Sequence, residues 1–249
     1  MLSPLSASTY FFCLSTWQFD AIFRIAFASD PWHMEAKYTM KRIITFIGVI
    51  GTLLLLMAGQ SSAVTQYSQN EFRTAESLDP GMTQTGINFT LGDQYKTYYP
   101  DVRYGLGAMF EVGARFGVTS TSINNEDKLG AFIGADLKYQ LVKETEGVPL
   151  DLSVDLGFDN TIINSRNASE LTFATIVSKG FPLTDRGYKI TPYGGLAMSA
   201  LYGSLPESHD TYVNAFAGLE WKITQKFMVL LEIKAGEGLI GGAGIRFEY

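Results

Sequence analysis

One short stretch of the chain carries the residue types of a hydrolytic centre. Ser208, His209 and Asp210 are consecutive, and Glu207 precedes them. A serine nucleophile needs a histidine held at hydrogen-bond distance and oriented by a carboxylate. Neighbours in a polar loop do not supply that fixed geometry, so we predict a solvated loop tip and no catalytic residue.

The composition restricts the other kinds of chemistry. The 249 residues include one cysteine and two histidines, which argues against a metal centre, and we predict neither a metal nor a cofactor. The net charge of −6 argues against nucleic acid as a partner, because phosphate binding needs a basic surface. Asp151 and Asp155 are an even number of positions apart, so they would lie on the same face of a β-strand. We expect them to form salt bridges there and not to act as an acid–base pair.

Charged side chains recur at every second position in several segments. The opposite parity is apolar, as in Val102, Tyr104, Leu106, Ala108 and Phe110. Period-two alternation is typical of β-strands with one apolar and one polar face. The charged parity comprises Arg103, Glu111, Arg115, Asp136, Lys138, Asp151, Asp155, Glu220, Lys222, Glu232, Lys234, Arg246 and Glu248.

The alternating segments are long enough to cross a bilayer. Turn residues separate them, and a tilted transmembrane strand needs roughly 9–11 residues, whereas strands of soluble proteins average about 5–6. After residue 63, charged residues interrupt every apolar stretch before it reaches the length of a membrane-spanning helix. We predict an all-β, closed antiparallel up-and-down transmembrane β-barrel; the alternative is a soluble periplasmic β-protein.

The amino-terminal third divides into three parts. Met40-Lys41-Arg42, the apolar run Ile43–Ala58 and the small residues up to Ala63 predict a cleaved signal peptide at 40–63. A membrane anchor, or cleavage after Ala58, are the alternatives. Residues 1–39 are predicted to be an over-called N-terminal extension, because translation is expected to start at Met40 or Met34. Residues 64–80 are predicted to be a polar segment that acts as a tether or plug. The barrel itself is expected at 81–249.

The last strand carries a more specific signal. Gly241, Ala243, Ile245, Phe247 and Tyr249 share one parity, and the chain stops on an aromatic residue. This strand resembles the carboxy-terminal assembly signal of Gram-negative outer-membrane β-barrel proteins, although tyrosine replaces their usual phenylalanine. The resemblance covers residues 82–249. It implies an outer-membrane location, contact with outer-membrane lipid, and recognition by the barrel-assembly machinery through the strand ending in Tyr249.

The strand count depends on the segment after Asp101. A direct count gives nine runs, whereas bacterial single-chain barrels have an even number. A turn at Gly107-Ala108 gives ten, near 82–92, 100–105, 110–119, 128–141, 150–158, 170–180, 189–202, 211–223, 226–235 and 239–249. The alternative is eight strands from residue 102 onward, with Thr83–Leu91 as a periplasmic extension. We expect a monomer.

The two faces of the predicted barrel have different tasks. Aromatic residues near strand ends are predicted to form a girdle at the membrane surface: Tyr104, Tyr139, Tyr188, Trp221, Phe227, Phe247 and Tyr249, with Phe181 beside them. The inward charges comprise six basic and seven acidic residues. A selective channel would show an excess of one sign, so this balance favours a narrow, largely filled lumen over a small open pore.

Three functions are compatible with this architecture. The favoured one is a narrow-lumen, porin-like barrel through which a small solute or hydrophobic molecule passes or to which it binds. The alternative is a structural or surface-interaction barrel without transport. A lipid-modifying enzyme of the outer membrane is the third, and it is disfavoured because His209 is the only histidine after residue 63.

Overall fold

A computed structural model describes residues 71–92, 95–123, 126–145, 148–183, 188–204, 211–236 and 238–249, all of which belong to one compact unit. Every regular element among them is a β-strand. Ten strands are long and one, β7, has two residues: β1 (Thr83–Leu91), β2 (Tyr95–Gly107), β3 (Phe110–Ile123), β4 (Glu126–Val142), β5 (Asp151–Ile163), β6 (Arg166–Ser178), β7 (Phe181–Pro182), β8 (Lys189–Gly203), β9 (Thr211–Lys222), β10 (Phe227–Ala235) and β11 (Leu239–Glu248).

The sheet closes on itself. Each long strand pairs antiparallel with the next long strand along the chain, and β6 pairs directly with β8 across the short β7. The first and last strands complete the ring, with Gln84 opposite Glu248 and Leu91 opposite Gly241. Thr83 and Tyr249 extend this pairing by exchanging two backbone hydrogen bonds of 2.9 Å. The predicted closed, up-and-down barrel of ten strands is therefore confirmed.

The eight-strand alternative is wrong. β1 is not a periplasmic extension, because it pairs with β2 along one side and with β11 along the other. Without it the barrel would have two open edges, and unpaired backbone groups are not tolerated in the hydrocarbon region of a membrane.

The predicted split after Asp101 is present, but the turn lies one residue later than expected. Gly107 pairs with Phe110, and the two residues between them, Ala108 and Met109, have φ angles of 49° and 69°. Two successive positive φ angles are what a two-residue type I′ hairpin requires. Asn164 and Ser165 repeat this arrangement between β5 and β6, so the connection between the strands predicted at 150–158 and 170–180 is shorter than expected.

The exterior of the barrel is apolar and the interior is polar. Ile87, Phe116 and Ile133 face outward and are 63%, 63% and 62% exposed, while Arg73, Lys138 and Lys234 inside are almost fully buried. A soluble monomer does not expose so much apolar surface. Lipid covers such a band in a transmembrane barrel. Within the ranges described, no helix is long and apolar enough to span a membrane.

The two ends of the barrel differ. We call the end where β1 begins and β11 ends the terminal end; the turn Ala108–Met109 lies there. The other end, which carries the turn Asn164–Ser165, is the opposite end.

Candidate functional site

All thirteen charged residues of the predicted inward parity point into the barrel. Ten of them are buried, and Glu220, Lys222 and Glu248 are partly exposed at the terminal end. The strand registers place them in neighbouring rows: Glu111 lies opposite Lys138, and Lys138 lies opposite Asp155. The lumen therefore holds a dense set of opposite charges.

Three arginines each reach an aspartate two strands away, across a glycine. Arg103 lies opposite Gly113, which lies opposite Asp136, and the Arg103 Nη2 to Asp136 Oδ1 distance is 2.6 Å. A Cβ at Gly113 would come within 2.6 Å of the Asp136 carboxylate. The intervening glycine thus leaves the space in which the ion pair forms.

The same arrangement occurs twice more. Arg115 crosses Gly134 to Asp159, with two parallel hydrogen bonds of 2.8 and 2.6 Å. Arg246 crosses Gly86 to Asp101 at 2.9 Å. We call these three sets the Arg–Gly–Asp triplets. They explain the presence of glycine at these three inward positions.

The lumen is closed by the segment that precedes β1. Residues 71–79, which we call the plug, lie inside the barrel, and Phe72, Arg73 and Ala75 are almost completely buried. Arg73 Nη1 lies 2.8 Å from Asp136 Oδ1 and also pairs with Asp155, while its Nη2 lies 2.8 Å from Glu71. Charges left in a low-dielectric interior need such partners, so the plug and the barrel wall neutralise each other.

Backbone groups of the plug are bound as well. The N–H groups of Glu71 and Phe72 donate to the two oxygens of Glu232, at 2.7 and 2.6 Å. Phe72 has a φ of 45°, so its backbone is left-handed at the point where two successive N–H groups meet one carboxylate. Tyr193 Oη donates to the same carboxylate at 2.9 Å. Glu232 is thus a specific anchor for the start of the plug.

Further contacts run along the plug toward the terminal end. The N–H of Ala75 donates to Ser178 Oγ at 3.0 Å, and that of Leu78 donates to Glu111 Oε2 at 3.0 Å. Lys138 Nζ donates to the carbonyl oxygens of Thr74 and Glu76, at 3.1 and 2.7 Å. Three β-strands, β3, β4 and β6, therefore contribute these hydrogen bonds to this half of the plug.

The last ionic contact of the plug is accessible to water. Glu76 Oε2 lies 2.5 Å from Lys189 Nζ, and the two side chains are 42% and 28% exposed. Burial alone would raise the pKa of Glu76, but the adjacent Lys189 ammonium holds the pKa below its ordinary value of 4.5. Glu76 therefore stays ionised at neutral pH and keeps its partner.

Beside the plug, a polar cavity of about 150 Å³ opens at the terminal end. Its lining includes Arg246, Lys222 and Glu220 from the barrel and Glu76 from the plug. This space is large enough for several water molecules or a small solute.

The opposite half of the lumen is aromatic. The rings of Tyr99 and Phe132 meet edge to face with centroids 5.2 Å apart, and Phe72 of the plug lies 6.4 Å from Tyr99. Glu170 is buried here and accepts a hydrogen bond of 2.8 Å from Tyr212 Oη. Aromatic side chains of the wall therefore line the lumen at this end, and Phe72 of the plug packs against them.

Sequence reasoning missed several residues of this interior. Asp101 lies within the predicted strand at 100–105 and shares the parity of Arg103, a signal that could have found it. Asp159 lies just beyond the predicted strand at 150–158, because β5 is longer than predicted. Tyr95 lies between the strands predicted at 82–92 and 100–105, but it is the first, buried residue of β2. Its aromatic side chain points inward, where the alternation predicts a polar residue. The alternation therefore does not reveal this part of the strand. Arg73 and Glu71 lie in a segment without any periodicity.

The predicted girdle residues lie toward the terminal end. Tyr104, Trp221, Phe247 and Tyr249 are exposed on the exterior, whereas Tyr139, Tyr188 and Phe227 are partly exposed. Two pairs are in ring contact: Phe110 stacks on Tyr139 at 4.5 Å, and Phe227 lies 5.1 Å from Phe247.

The expectation for Phe181 is wrong. Its side chain is buried, because the two-residue strand β7 folds against the start of β8 and Lys179 lies over the ring at 5.8 Å.

Some predictions fall on parts of the chain that the structure does not describe. Ser208, His209 and Asp210, the proposed signal peptide and residues 1–39 all lie outside the described residues. Among the residues that are described, no group of three or more histidine, cysteine, aspartate or glutamate side chains is placed to hold a metal ion.

An apolar exterior around a closed ring of strands with a charged interior defines a transmembrane β-barrel. No family model and no curated protein matches the chain. Solved structures do match. An outer membrane channel from Pseudomonas putida F1 is 11% identical with a TM-score of 0.40, covering 74% of this chain and all of that one. The N-terminal β-barrel domain of Pseudomonas aeruginosa OprF is 15% identical with a TM-score of 0.33, covering 69% and 100%.

A third match is the KdgM porin, which is 9% identical with a TM-score of 0.35 and covers 66% of this chain and 98% of that one.

Proposed function

We propose that this protein is an outer-membrane barrel that the plug keeps closed at rest, and that a small polar solute passes when the plug moves. The observation that carries the proposal is the position of residues 71–79 inside the ring, bound to the wall by Glu232, Ser178 and Glu111. A segment outside the strands can leave the lumen without breaking the barrel, whereas an inward side chain of a strand cannot.

The chemistry of the lumen favours a polar cargo. A solute that crosses the barrel must pass the Arg–Gly–Asp triplets and the Glu111–Lys138 ion pair. An apolar molecule would have to separate these charges from their partners without offering replacements. A solute with hydrogen-bonding groups can replace them.

The location and orientation follow from the same features. The predicted signal peptide and the apolar exterior of the barrel suit the outer membrane, and an even number of strands leaves both ends of the barrel chain on one side. We place the terminal end in the periplasm. The proposed partners are outer-membrane lipid around the girdle and the assembly machinery at the strand ending in Tyr249; the proposed state is a monomer without enzymatic activity.

Single-channel recording in planar bilayers tests this function. We expect the protein starting at Val64 to show brief, infrequent openings, and a variant lacking residues 64–79 to show long, steady ones. The matched control lacks residues 64–70 only and keeps the plug, so it should behave like the unshortened protein. Heat-modifiable gel mobility reports whether each variant has folded. Steady large openings of the unshortened protein would contradict the proposal.

A structural barrel without transport is the second candidate. The observation in its favour is the burial of Arg73 among three carboxylates, those of Glu71, Asp136 and Asp155, which makes the plug costly to move. It predicts that folded protein shows no openings even after residues 64–79 are removed.

A further inference from the structure

The one basic residue of the plug, Arg73, binds two carboxylates of the barrel wall. Its Nη1 lies 2.8 Å from Asp136 Oδ1 of β4 and also pairs with Asp155 of β5. Its other edge faces the plug itself: Nε donates to the carbonyl oxygen of Glu71 at 3.1 Å, and Nη2 pairs with the Glu71 carboxylate. Asp136 and Asp155 therefore form a seat for a guanidinium group, which we call the Arg73 seat, and the wall alone supplies it.

Asp155 depends on this guanidinium more than Asp136 does. Asp136 also pairs with Arg103 and Arg115 of the wall. Asp155 is 2% exposed, and Arg73 is the one described residue that forms a hydrogen bond or ion pair with its carboxylate. If the plug moves away, Asp155 is left as a buried charge without a partner, which is strongly unfavourable.

The wall has too few cations to replace Arg73. Among the described residues, its strands bury eight carboxylates and only five basic side chains. Lys138 lies directly opposite Asp155, but its Nζ already pairs with Glu111 at 2.9 Å. The carboxylates are those of Asp101, Glu111, Asp136, Asp151, Asp155, Asp159, Glu170 and Glu232, and the basic residues are Arg103, Arg115, Lys138, Lys234 and Arg246.

This acidic excess changes the expectation from the sequence. The inward set expected from the alternation is nearly balanced because it omits Asp101, Asp159 and Glu170, all of which are buried in the lumen. An excess of one sign along a lumen attracts ions of the opposite sign and repels those of the same sign. The wall therefore favours a cation as the solute that replaces Arg73.

The polar cavity at the terminal end gives a solute access to this region. Arg73 is among its lining residues. The outer ion pairs of the lining, Glu76–Lys189 and Lys222–Glu248, are partly exposed to water. A small solute that enters the cavity therefore approaches Arg73 while the plug is still in place.

We propose that the lumen recognises small organic cations that carry a guanidinium group, and that such a cation displaces Arg73 from Asp136 and Asp155. Arg73 occupies the site that the solute takes, and the incoming cation keeps Asp155 paired while the plug moves. The inference rests on the proposed function, because the displaced plug is what opens the lumen. Occupation of the Arg73 seat requires no passage, so binding and conductance are measured separately.

Chemical rescue of Arg73→Ala tests the seat directly. The substitution removes the guanidinium and leaves Asp136 and Asp155 in the wall. Isothermal titration calorimetry, on the protein starting at Val64 in detergent micelles, compares methylguanidinium with the similarly shaped but neutral methylurea and with acetate. We expect methylguanidinium to bind Arg73→Ala about tenfold or more tightly than methylurea does, because only the cation neutralises Asp155. It should bind the unmodified protein less tightly, since Arg73 fills the seat there.

Two double variants locate the binding. Arg73→Ala combined with Asp155→Asn keeps the space but removes the unpaired charge, and should lose most of the preference for methylguanidinium. Arg73→Ala combined with Glu144→Gln removes a carboxylate that pairs with Lys179 away from the seat, and should bind as Arg73→Ala does. Heat-modifiable gel mobility reports whether each variant is folded.

A measurement on the unmodified protein does not depend on the folding of any variant. In single-channel recording, methylguanidinium should raise the frequency of the brief openings by competing with Arg73, whereas methylurea should leave it unchanged. The inference is overturned if methylurea or acetate binds Arg73→Ala as tightly as methylguanidinium, or if methylguanidinium has no effect on the unmodified protein's openings. Selective binding without any openings would contradict the proposed function and leave the seat in place.

Discussion

Each Arg–Gly–Asp triplet depends on a residue that has no side chain. A methyl group at Gly134 would overlap the Asp159 carboxylate and come within 3.0 Å of Arg115 Nε. That carboxylate cannot easily move aside, because two hydrogen bonds fix it to the guanidinium. The glycine is therefore as necessary to the ion pair as the charged residues are.

Gly134→Ala is expected to destabilise the barrel by about 1–3 kcal/mol, as overpacking of a well-filled interior generally does. Reversible unfolding in urea, followed by tryptophan fluorescence, measures the change. The control is Gly241→Ala, because no atom lies within 4 Å of a Cβ at that position. Equal stability of the two variants would show that the triplet does not need the gap.

At the level of elements, the hairpin between β2 and β3 contains two ordinary residues in a conformation that favours glycine. Ala108 and Met109 both have positive φ angles. A left-handed conformation costs an L-residue about 1–2 kcal/mol. Ala108→Gly is therefore expected to stabilise the barrel by about 1 kcal/mol.

The matched control is Ala114→Gly, which makes the same change on the exterior of β3. No strain is relieved there, and glycine weakens a strand. We expect a loss of stability in urea unfolding. A gain from both substitutions, or a loss from both, would contradict the assigned turn.

The sequence alone predicts the strands well and the plug poorly. Alternation around Phe116 and Ile133 is strong because lipid selects one face and the lumen the other. The ten-strand ring follows from it once the turn after Asp101 is recognised. Residues 71–79 have no such pattern, because their position depends on contacts with Glu232, Ser178 and Glu111. These three residues are far apart in the sequence and come to face the plug only in the folded barrel. Only their polarity indicated a tether or plug.

At the scale of the whole molecule, the exterior should lie in lipid with its aromatic girdle at the headgroups. Trp221 is the only tryptophan after residue 63, and it is exposed on the outside near the terminal end. In liposomes its emission should be quenched most strongly by lipids that carry a quencher near the headgroup. Quenching by aqueous iodide alone would contradict the membrane position.

A second probe position gives the matched control. Phe116 faces outward from the middle of β3. Phe116→Trp in a Trp221→Phe background should be quenched most strongly by lipids labelled deep in the acyl chain. The two positions together determine how deeply the barrel lies in the bilayer.

The central claim is that the plug closes the lumen, and a reversible crosslink tests it most directly. Ala75 and Ser178 are buried and in hydrogen-bond contact, and Cys13 is the only cysteine of the chain. Ala75→Cys together with Ser178→Cys, in the protein starting at Val64, would allow a disulfide that holds the plug in the wall. Single-channel recording then compares one folded protein before and after reduction.

We expect no openings of the oxidised barrel, and brief openings that appear when reductant is added. The single variant Ala75→Cys should be insensitive to reductant. Conductance that is the same in the oxidised and reduced states would show that ions take a path that the plug does not close, and would contradict the account.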